Sequence, residues 1–431
     1  MSAALEEIEA ENPSAYPPSI QAGIPALGKA PRGWSRYRLG ELLRKVERPA
    51  KLVDTETYQL VTARRNRGGI VAREVLRGNQ IRTKTQFYVE AGDFLISNRQ
   101  ISHGACGIVP ECLNRAVVSN EYTAFHTSHA LDPAFLNALS HSIYFQQTCF
   151  HSSIGVHVEK LVFRLEDWMG WEFDIPPLHE QKRIVAVLNA WDQAIDQTER
   201  LITATKQAYH NKLNGFTSAT NVPMQRLDEV TRVNLRSLPA KTDPDFEFDY
   251  FDIAAADDGT DEELSGRITF KSAPSRARRQ VLKEGVVYST VRPLLRRLFI
   301  AKNRPDAVYS TGYSILEPLE TCSVSYLRHI LVSSVVERQI YARLTGSGYP
   351  AISENDLAEI KIPLPEMGSQ SLIAGELNEI ERQHSLYVRY ANALRTQKRG
   401  LMQKLLTGER QLDGRFDDLT PAVRTAAGGV A

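Results

Sequence analysis

Two stretches decide how this chain folds: IPPLHEQKRIVAVLNAWDQAI (175–195) and IPLPEMGSQSLIAGELNEIERQH (362–384). Each opens on Ile-Pro, passes a glutamine and settles into a long apolar rhythm. Ile184, Leu188, Trp191, Ile195, Thr198, Ile202, Thr205 and Tyr209 recur at alternating spacings of four and three. So do Ile373, Leu377, Ile380, His384, Tyr387, Ala391, Leu394, Lys398, Leu401 and Leu405. That spacing is a coiled-coil seam. Proline suits a first turn, so the helices are expected to begin near Pro177 and Pro365. Asn214-Gly215 and Gly408 are the expected stops, because glycine takes the left-handed conformation just past a helix end. At 1.5 Å per residue the two rods would be roughly 55–60 Å long. The second half of the first seam is polar, and His384 and Lys398 interrupt the second; we read both as ordinary register or edge residues that bind no ligand. Neither stripe is stable in water alone, so the simplest partner for each helix is the other.

The repeat reaches further upstream. AGDFLISNRQ (91–100) parallels EGVVYSTVRP (284–293), with Gly92 to Arg99 and Gly285 to Arg292 at the same separation. AVVSNEY (116–122) parallels AVYSTGY (307–313), and the pairs Ser119/Tyr122 and Ser310/Tyr313 read as structural. WSRYRLGELL (34–43) and MQRLDEV (224–230) open the two copies alike. Runs such as DFLIS, AVVSN, GVVYST and YSILEP are short, β-branched or aromatic and bounded by Gly, Pro or Asn, which marks strands. Residues 133–148 and 323–344 read as helical. The expected fold class is α+β (mixed α/β), a pseudo-twofold repeat of two tandem modules separated by two long antiparallel coiled-coil helices. The boundaries read as an N-terminal extension 1–33, a first module 34–176, a first helix 177–215, a second module 224–364, a second helix 365–408 and a tail 409–431. The end of that tail, AVRTAAGGVA (422–431), is expected to be disordered.

With 431 residues, 42% hydrophobic and 24% charged, the chain has the composition of a globular protein of two to four units. No apolar run approaches the ~18 residues of a membrane span. The acidic N-terminus MSAALEEIEAENPSAYPPS has no signal-peptide pattern, so the expectation is a cytoplasmic protein with no membrane partner. The four cysteines, Cys106, Cys112, Cys149 and Cys322, form no CxxC pair and argue against a disulfide framework or a zinc site. The net charge of +1 conceals uneven patterning. Residues 64–84 hold seven Lys/Arg against one Glu, and residues 267–297 hold nine against Glu284. Between them, residues 243–263 hold ten Asp/Glu and no Lys or Arg. A single basic run is commonly a solvated face. Two in matching places of a repeat point to an anionic partner.

The sequence offers no catalytic residues and no cofactor or metal site. GIPALGKA (23–30) nearly fits the phosphate-cradling loop G-x-x-x-x-G-K-[ST], but Ala30 replaces the magnesium-binding hydroxyl and no strand precedes it. There is no [DN]PP[YF] tetrapeptide, and HEQ (179–181) is not HExxH. The chain therefore reads as non-catalytic.

The stretch Ile175-Pro176-Pro177-Leu178-His179-Glu180-Gln181-Lys182-Arg183-Ile184 resembles the specificity subunit of type I restriction–modification systems. QKRGLMQKLLTGERQL (397–412), APSRARRQVLKEGVVYSTVRPLLRR (273–297) and GDFLISNRQISHGACGIVPE (92–111) are similar to that family as well. The resemblance runs from Trp34 to about Leu412. Residues 1–33, the EMGSQ in place of a second HEQ and the tail depart from it. It implies two target-recognition domains, each entering the major groove of double-stranded DNA to read half of a bipartite site. It implies helices that fix the unread gap and dock two methyltransferase subunits, with motor-endonuclease subunits completing the complex. The modules differ strongly in sequence, so the target should be asymmetric.

Base edges are read by Arg, Lys, Asn or Gln on loops. In the first module the candidates are Arg64, Arg65 and Arg67, beside Asn66 and Gly68-Gly69 in what reads as a flexible basic loop, and Asn98, Arg99 and Gln100 just past a strand end. In the second they are Arg276, Arg278 and Arg279 beside Ser275, then Arg292, taken as the counterpart of Arg99, with Arg296 and Arg297. Many of these would touch phosphate, which positions the protein without reading sequence. The alternatives are a coiled-coil scaffold that never touches DNA, an enzyme such as a nuclease with an unrecognised site, and a specificity subunit of a methylation-only or other defence complex.

Overall fold

The computed structural model describes residues 23–154, 162–218, 222–253, 265–346 and 348–419. Among them the chain packs as two compact units. One comprises residues 23–195 with 393–419; the other comprises residues 196–392.

In the first unit, β1 (Ser35–Arg38) leads through the short helix α1 (Leu39–Leu42) into β2 (Leu43–Val46), β3 (Pro49–Ala50), β4 (Thr57–Ala63), β5 (Ile70–Arg77), β6 (Gln86–Tyr88), β7 (Phe94–Ser97), β8 (Cys106–Ile108), β9 (Val117–Ser119) and β10 (Tyr122–Thr127). Helices α2 (Pro133–Ser140) and α3 (Ile143–His151), the pair β11 (Ser153–Ile154) and β12 (Val162–Phe163), α4 (Leu165–Met169) and β13 (Glu172–Ile175) complete the module. The strands form a four-stranded sheet β2-β10-β7-β8 and a five-stranded sheet β3-β6-β9-β4-β5, with β4 and β9 parallel. β7, sequence FLIS, is buried at all four positions. Side chains alternate across a strand, and here both faces are covered. Phe94 and Ile96 enter a core with Phe125, Phe145 and Trp168, whereas Leu95 enters a second core with Val61 and Val118.

The second unit repeats this order with β14 (Met224–Arg226), α6 (Leu227–Val230), β15 (Thr231–Val233), β16 (Arg236–Ser237), β17 (Glu247–Phe251), β18 (Ser265–Thr269), β19 (Ala277–Gln280), β20 (Glu284–Ser289), β21 (Leu298–Lys302), β22 (Ala307–Ser310) and β23 (Tyr313–Pro318). Helices α7 (Val324–Ile330), α8 (Ser334–Tyr341) and α9 (Glu354–Ala358) and strand β24 (Lys361–Pro363) follow. Its sheets, β15-β23-β20-β21 and β16-β19-β22-β17-β18, have the same connectivity, strand for strand. The alternation is also the same, since Val286 and Tyr288 face one core and Val287 the other. The shared openings have a shared cause. The Arg38 N–H donates to Glu41 Oε2 at 2.7 Å, and the Arg226 N–H donates to Glu229 Oε2 at 2.9 Å, so each short helix has its first free amide satisfied.

The long helices are α5 (Leu178–Thr217) and α10 (Met367–Leu406), each of 40 residues. Within the first unit Ile184, Val187 and Leu188 share a core with Met402, Leu405 and Leu406. Within the second, Tyr209 and Leu213 share one with Ile373 and Leu377. In each unit one helix descends in number as the other rises, so they pack antiparallel. Gly408 is left-handed at φ 69°, as a stop requires. Gly215 is not a stop, because the helix continues through Phe216, packed on the Tyr209–Leu213 core of the second unit, to Thr217. The Thr217 hydroxyl satisfies the end of the helix by donating to the Leu213 carbonyl at 3.1 Å. His384 and Lys398 are not edge residues; both lie buried in the seam. His384 Nδ1 meets the Thr205 hydroxyl at 3.1 Å, and Lys398 pairs with Asp192.

The glutamine common to the opening stretches is a joint. Gln181 Nε2 donates to the carbonyls of Ala130 and Pro176, both at 2.8 Å, while its Oε1 accepts from Asp132 N–H at 2.8 Å. Gln370 does the same to the carbonyls of Thr321 and Pro365 and to Ser323 N–H, each at 2.8 Å. The glutamines therefore match Pro176 to Pro365, although the second copy runs two residues further from its Ile-Pro.

Candidate nucleic-acid interface

Backbone hydrogen bonds bring the two first-module clusters together. Arg64 and Arg65 stand exposed at the tip of the β4–β5 hairpin, with no carboxylate partner among the described residues. Asn66 and Arg67 are left-handed, at φ 55° and 60°; asparagine accepts this readily, whereas for Arg67 it costs about 1–2 kcal/mol. The tip is held rather than flexible, since Asn66 N–H donates to His103 O at 2.7 Å and Arg67 N–H to Gly104 O at 3.1 Å. The Arg67 side chain is folded inward, only 6% exposed. His103 and Gly104 close the turn that begins at Gln100, so the hairpin tip adjoins the Asn98-Arg99-Gln100 loop.

That loop is itself ordered. Asn98 N–H donates to Glu121 O at 2.8 Å, and its Oδ1 accepts from the Thr123 hydroxyl at 3.0 Å. Arg99 is 72% exposed and pairs with Glu121 at 2.7 Å. Gln100 is half-buried, and its Oε1 lacks a hydrogen-bond partner among the described residues. Beside the loop lies a cleft of about 520 Å³ lined in part by Arg73, Gln80, Arg82, Asn120 and Tyr122. Sequence reasoning did not find it, because its lining comes from three segments spread between Leu60 and Tyr122 and no local pattern marks them.

In the second module the arginines divide by partner. Arg276 pairs with Asp252 and donates to the Tyr250 hydroxyl at 3.3 Å. Arg279 pairs with Glu354, and Arg296 with Glu337 at 2.6 Å. Arg297 is half-buried. Arg278 lies 4.9 Å over the Phe270 ring and Arg292 lies 4.5 Å over the Tyr349 ring; neither meets a carboxylate among the described residues. The Arg276 and Arg292 loops meet at one turn, because Thr311 N–H donates to Arg276 O at 2.8 Å and Thr290 N–H to Gly312 O at 2.9 Å. The adjacent acidic stretch answers part of the basic run. Arg267 and Arg304 gather on Asp249 and Asp306, and Lys271 on Asp245. Residues 254–264 of that stretch lie outside the described residues.

Strand register corrects one equivalence. Ser97 pairs with Tyr122, and Ser289 pairs with Tyr313. The position of Arg99 is therefore Val291, and that of Arg292 is Gln100. The equal Gly-to-Arg spacing is offset by one rung between the copies.

Among the described residues no group of three or more His, Cys, Asp or Glu is placed to hold a metal ion. No described helix is long and apolar enough to cross a membrane.

Two copies of one two-sheet module, each with arginines on its loops and each packed on halves of an antiparallel helix pair, define a tandem two-module protein. No protein-family model matches the chain. It is 22% identical over 423 residues, covering 88% of its own length and 94% of the relative, to the type I restriction enzyme MjaVIII specificity subunit of Methanocaldococcus jannaschii. Among solved structures, the HsdS subunit from Thermoanaerobacter tengcongensis matches 89% of this chain and 99% of its own, with a TM-score of 0.51 and 19% identity. A chain from a type I R-M system, solved for its complex assembly and conformational transition, matches 88% of this chain and 98% of its own, with a TM-score of 0.58 and 20% identity. The chain is homologous to the specificity subunits of type I restriction–modification systems.

Proposed function

We propose that this chain is the DNA-recognition subunit of a type I restriction–modification complex, itself non-catalytic. It reads an asymmetric, bipartite target with a fixed gap and docks two methyltransferase subunits, to which motor-endonuclease subunits add. The observation that carries this is the repetition of one sheet topology with different loop chemistry in each copy. A shared scaffold with divergent readers suits two unlike half-sites. Homology along nearly the whole chain supports the same role. Among the candidate residues, those with no carboxylate partner among the described residues, Arg64, Arg65, Arg278 and Arg292, are best disposed to meet DNA. Arg99, Arg276, Arg279 and Arg296 would have to exchange a carboxylate for a phosphate or a base. Asn98, Gln100 and Arg297 are partly buried beside them, and Arg67 supports the hairpin from within.

Mapping methylated adenines across the host genome, with this gene intact and deleted, tests the proposal. A split motif with a constant gap that disappears on deletion is the expected result. An unchanged pattern in a host with an active partner methyltransferase refutes it. DNA binding by the assembled complex should also weaken steeply with salt, since each neutralised phosphate releases counterions.

A further inference from the structure

Resting on the recognition role proposed above, we infer that Arg292 and Tyr349 form the base-reading head of the second module, with Arg292 taking a guanine and Tyr349 acting as its positioning residue. Arg292 holds a left-handed backbone, φ 49°, immediately before the turn Pro293–Leu295, and Arg296 just after it is left-handed too, at φ 57°. Residues with a Cβ adopt that conformation where the surroundings impose it, and such strain concentrates at functional sites. The surroundings here are backbone. Arg292 N–H donates to Pro350 O at 2.7 Å and Ile352 N–H to Thr290 O at 3.0 Å, while Ala351 bridges to both Val291 and Thr345. This strand-like edge carries Tyr349, 71% exposed, beneath the Arg292 guanidinium.

An exposed tyrosine has no folding role that its burial would reveal. Its ring face instead holds a cation that no described carboxylate claims. A guanidinium so held keeps its N–H fork available and loses little freedom on binding. Those are the requirements for a bidentate contact with guanine O6 and N7. A phosphate contact can use the same fork but carries no sequence information, and the exposed arginines of the other loops could supply it. In the first module the same position carries Gln100, whose amide oxygen is buried, so the head belongs to one half-site only.

The test is genome-wide methylation mapping with the full-length chain, expressed with its partner subunits, as wild type and as Arg292→Lys, Tyr349→Phe and Tyr349→Ala. Lysine keeps the charge and removes the fork. Arg292→Lys should relax one position of one half-site, with discrimination there falling about tenfold to a hundredfold. The other half-site and the gap should remain intact, which also reports folding and assembly. Tyr349→Ala should relax that same position, and Tyr349→Phe, which keeps the ring, should leave the motif unchanged. A uniform fall in methylation with every position still strict in Arg292→Lys would assign the residue to phosphate and overturn the inference. So would loss of all methylation in Tyr349→Phe, which would make the tyrosine merely structural. If the wild-type gene directs no split motif, the recognition role itself fails and the inference fails with it. If the wild type directs one that Arg292→Lys does not alter, only the inference fails.

Discussion

The Gln181 side chain joins three pieces of backbone: the end of β13, the approach to α2 and the start of α5. It is fully buried, so water cannot replace it. Gln181→Ala leaves two carbonyls and an N–H without partners, and the loss should be about 1–3 kcal/mol or more, seen as a lower denaturation midpoint at an unchanged slope. Gln181→Glu should be worse than alanine, because a carboxylate has no N–H to give the carbonyls of Ala130 and Pro176. His329 makes a different kind of joint. Its Nδ1 lies 2.9 Å from the Tyr209 hydroxyl and its Nε2 lies 2.9 Å from Asn378 Oδ1, while Asn378 Nδ2 donates to the Ser325 hydroxyl at 2.9 Å. A neutral ring protonated on Nε2 satisfies that chain; an imidazolium leaves the tyrosine proton without an acceptor. Burial lowers His329 from 6.5 to about 4, against Glu381 pulling upward and with Arg328 pushing down beside it. The unfolded chain therefore binds a proton that the folded chain refuses between about pH 6.5 and 4. Stability is fully present above that window and falls by about 3 kcal/mol as the pH drops through it. His329→Gln should flatten that part of the stability curve in urea titrations at stepped pH. A slope unchanged from wild type would exclude the assignment.

Among the elements, the two long helices were the most legible in sequence, because their spacing is a direct image of their packing. Ile184, Leu188, Ile195 and Tyr209 on α5 and Leu377, Ala391, Leu394 and Leu405 on α10 are all buried. What the spacing hides is why polar residues sit in the seam. Lys398 is 2% exposed and pairs with Asp192, whose side chain remains half in solvent. A lone polar group in a seam costs stability and fixes register. Asp192→Asn should destabilise by about 1–2 kcal/mol, since it leaves the lysine buried, with solvent at the aspartate limiting the loss. Lys398→Met should be neutral or stabilising, and denaturant unfolding of the single and double variants separates the pair from its parts. Other features were not readable from pattern at all. Arg67 belongs to a basic run yet turns inward, because its left-handed backbone ties it to Gly104. Arg99 and Arg292 are equally spaced from a glycine yet occupy different rungs, since register is set across strands and not along them. Carboxylate pairing, which sorts the arginines of the second module, joins residues such as Arg279 and Glu354 that lie 75 positions apart.

At the scale of the molecule, the same element order is realised twice, with the glutamine joint common to both copies and a second joint that differs. In the second unit Tyr209, His329 and Asn378 link helix and module by polar contacts. In the first, Ala138 of α2 packs, partly buried, against the apolar core that contains Leu188. Each module nevertheless leaves its sheets where it entered them: β1 pairs with β13, Ser35 opposite Ile175, and β14 pairs with β24, Met224 opposite Pro363. A module therefore behaves as a cassette with a two-stranded clasp. An exchanged block would bring the same pair of strand ends to the helices, provided that it also kept the backbone groups that Gln181 and Gln370 bind and the apolar face packed on the helices. Under the recognition role proposed above, replacing one such block would change one half-site and leave the other as it was.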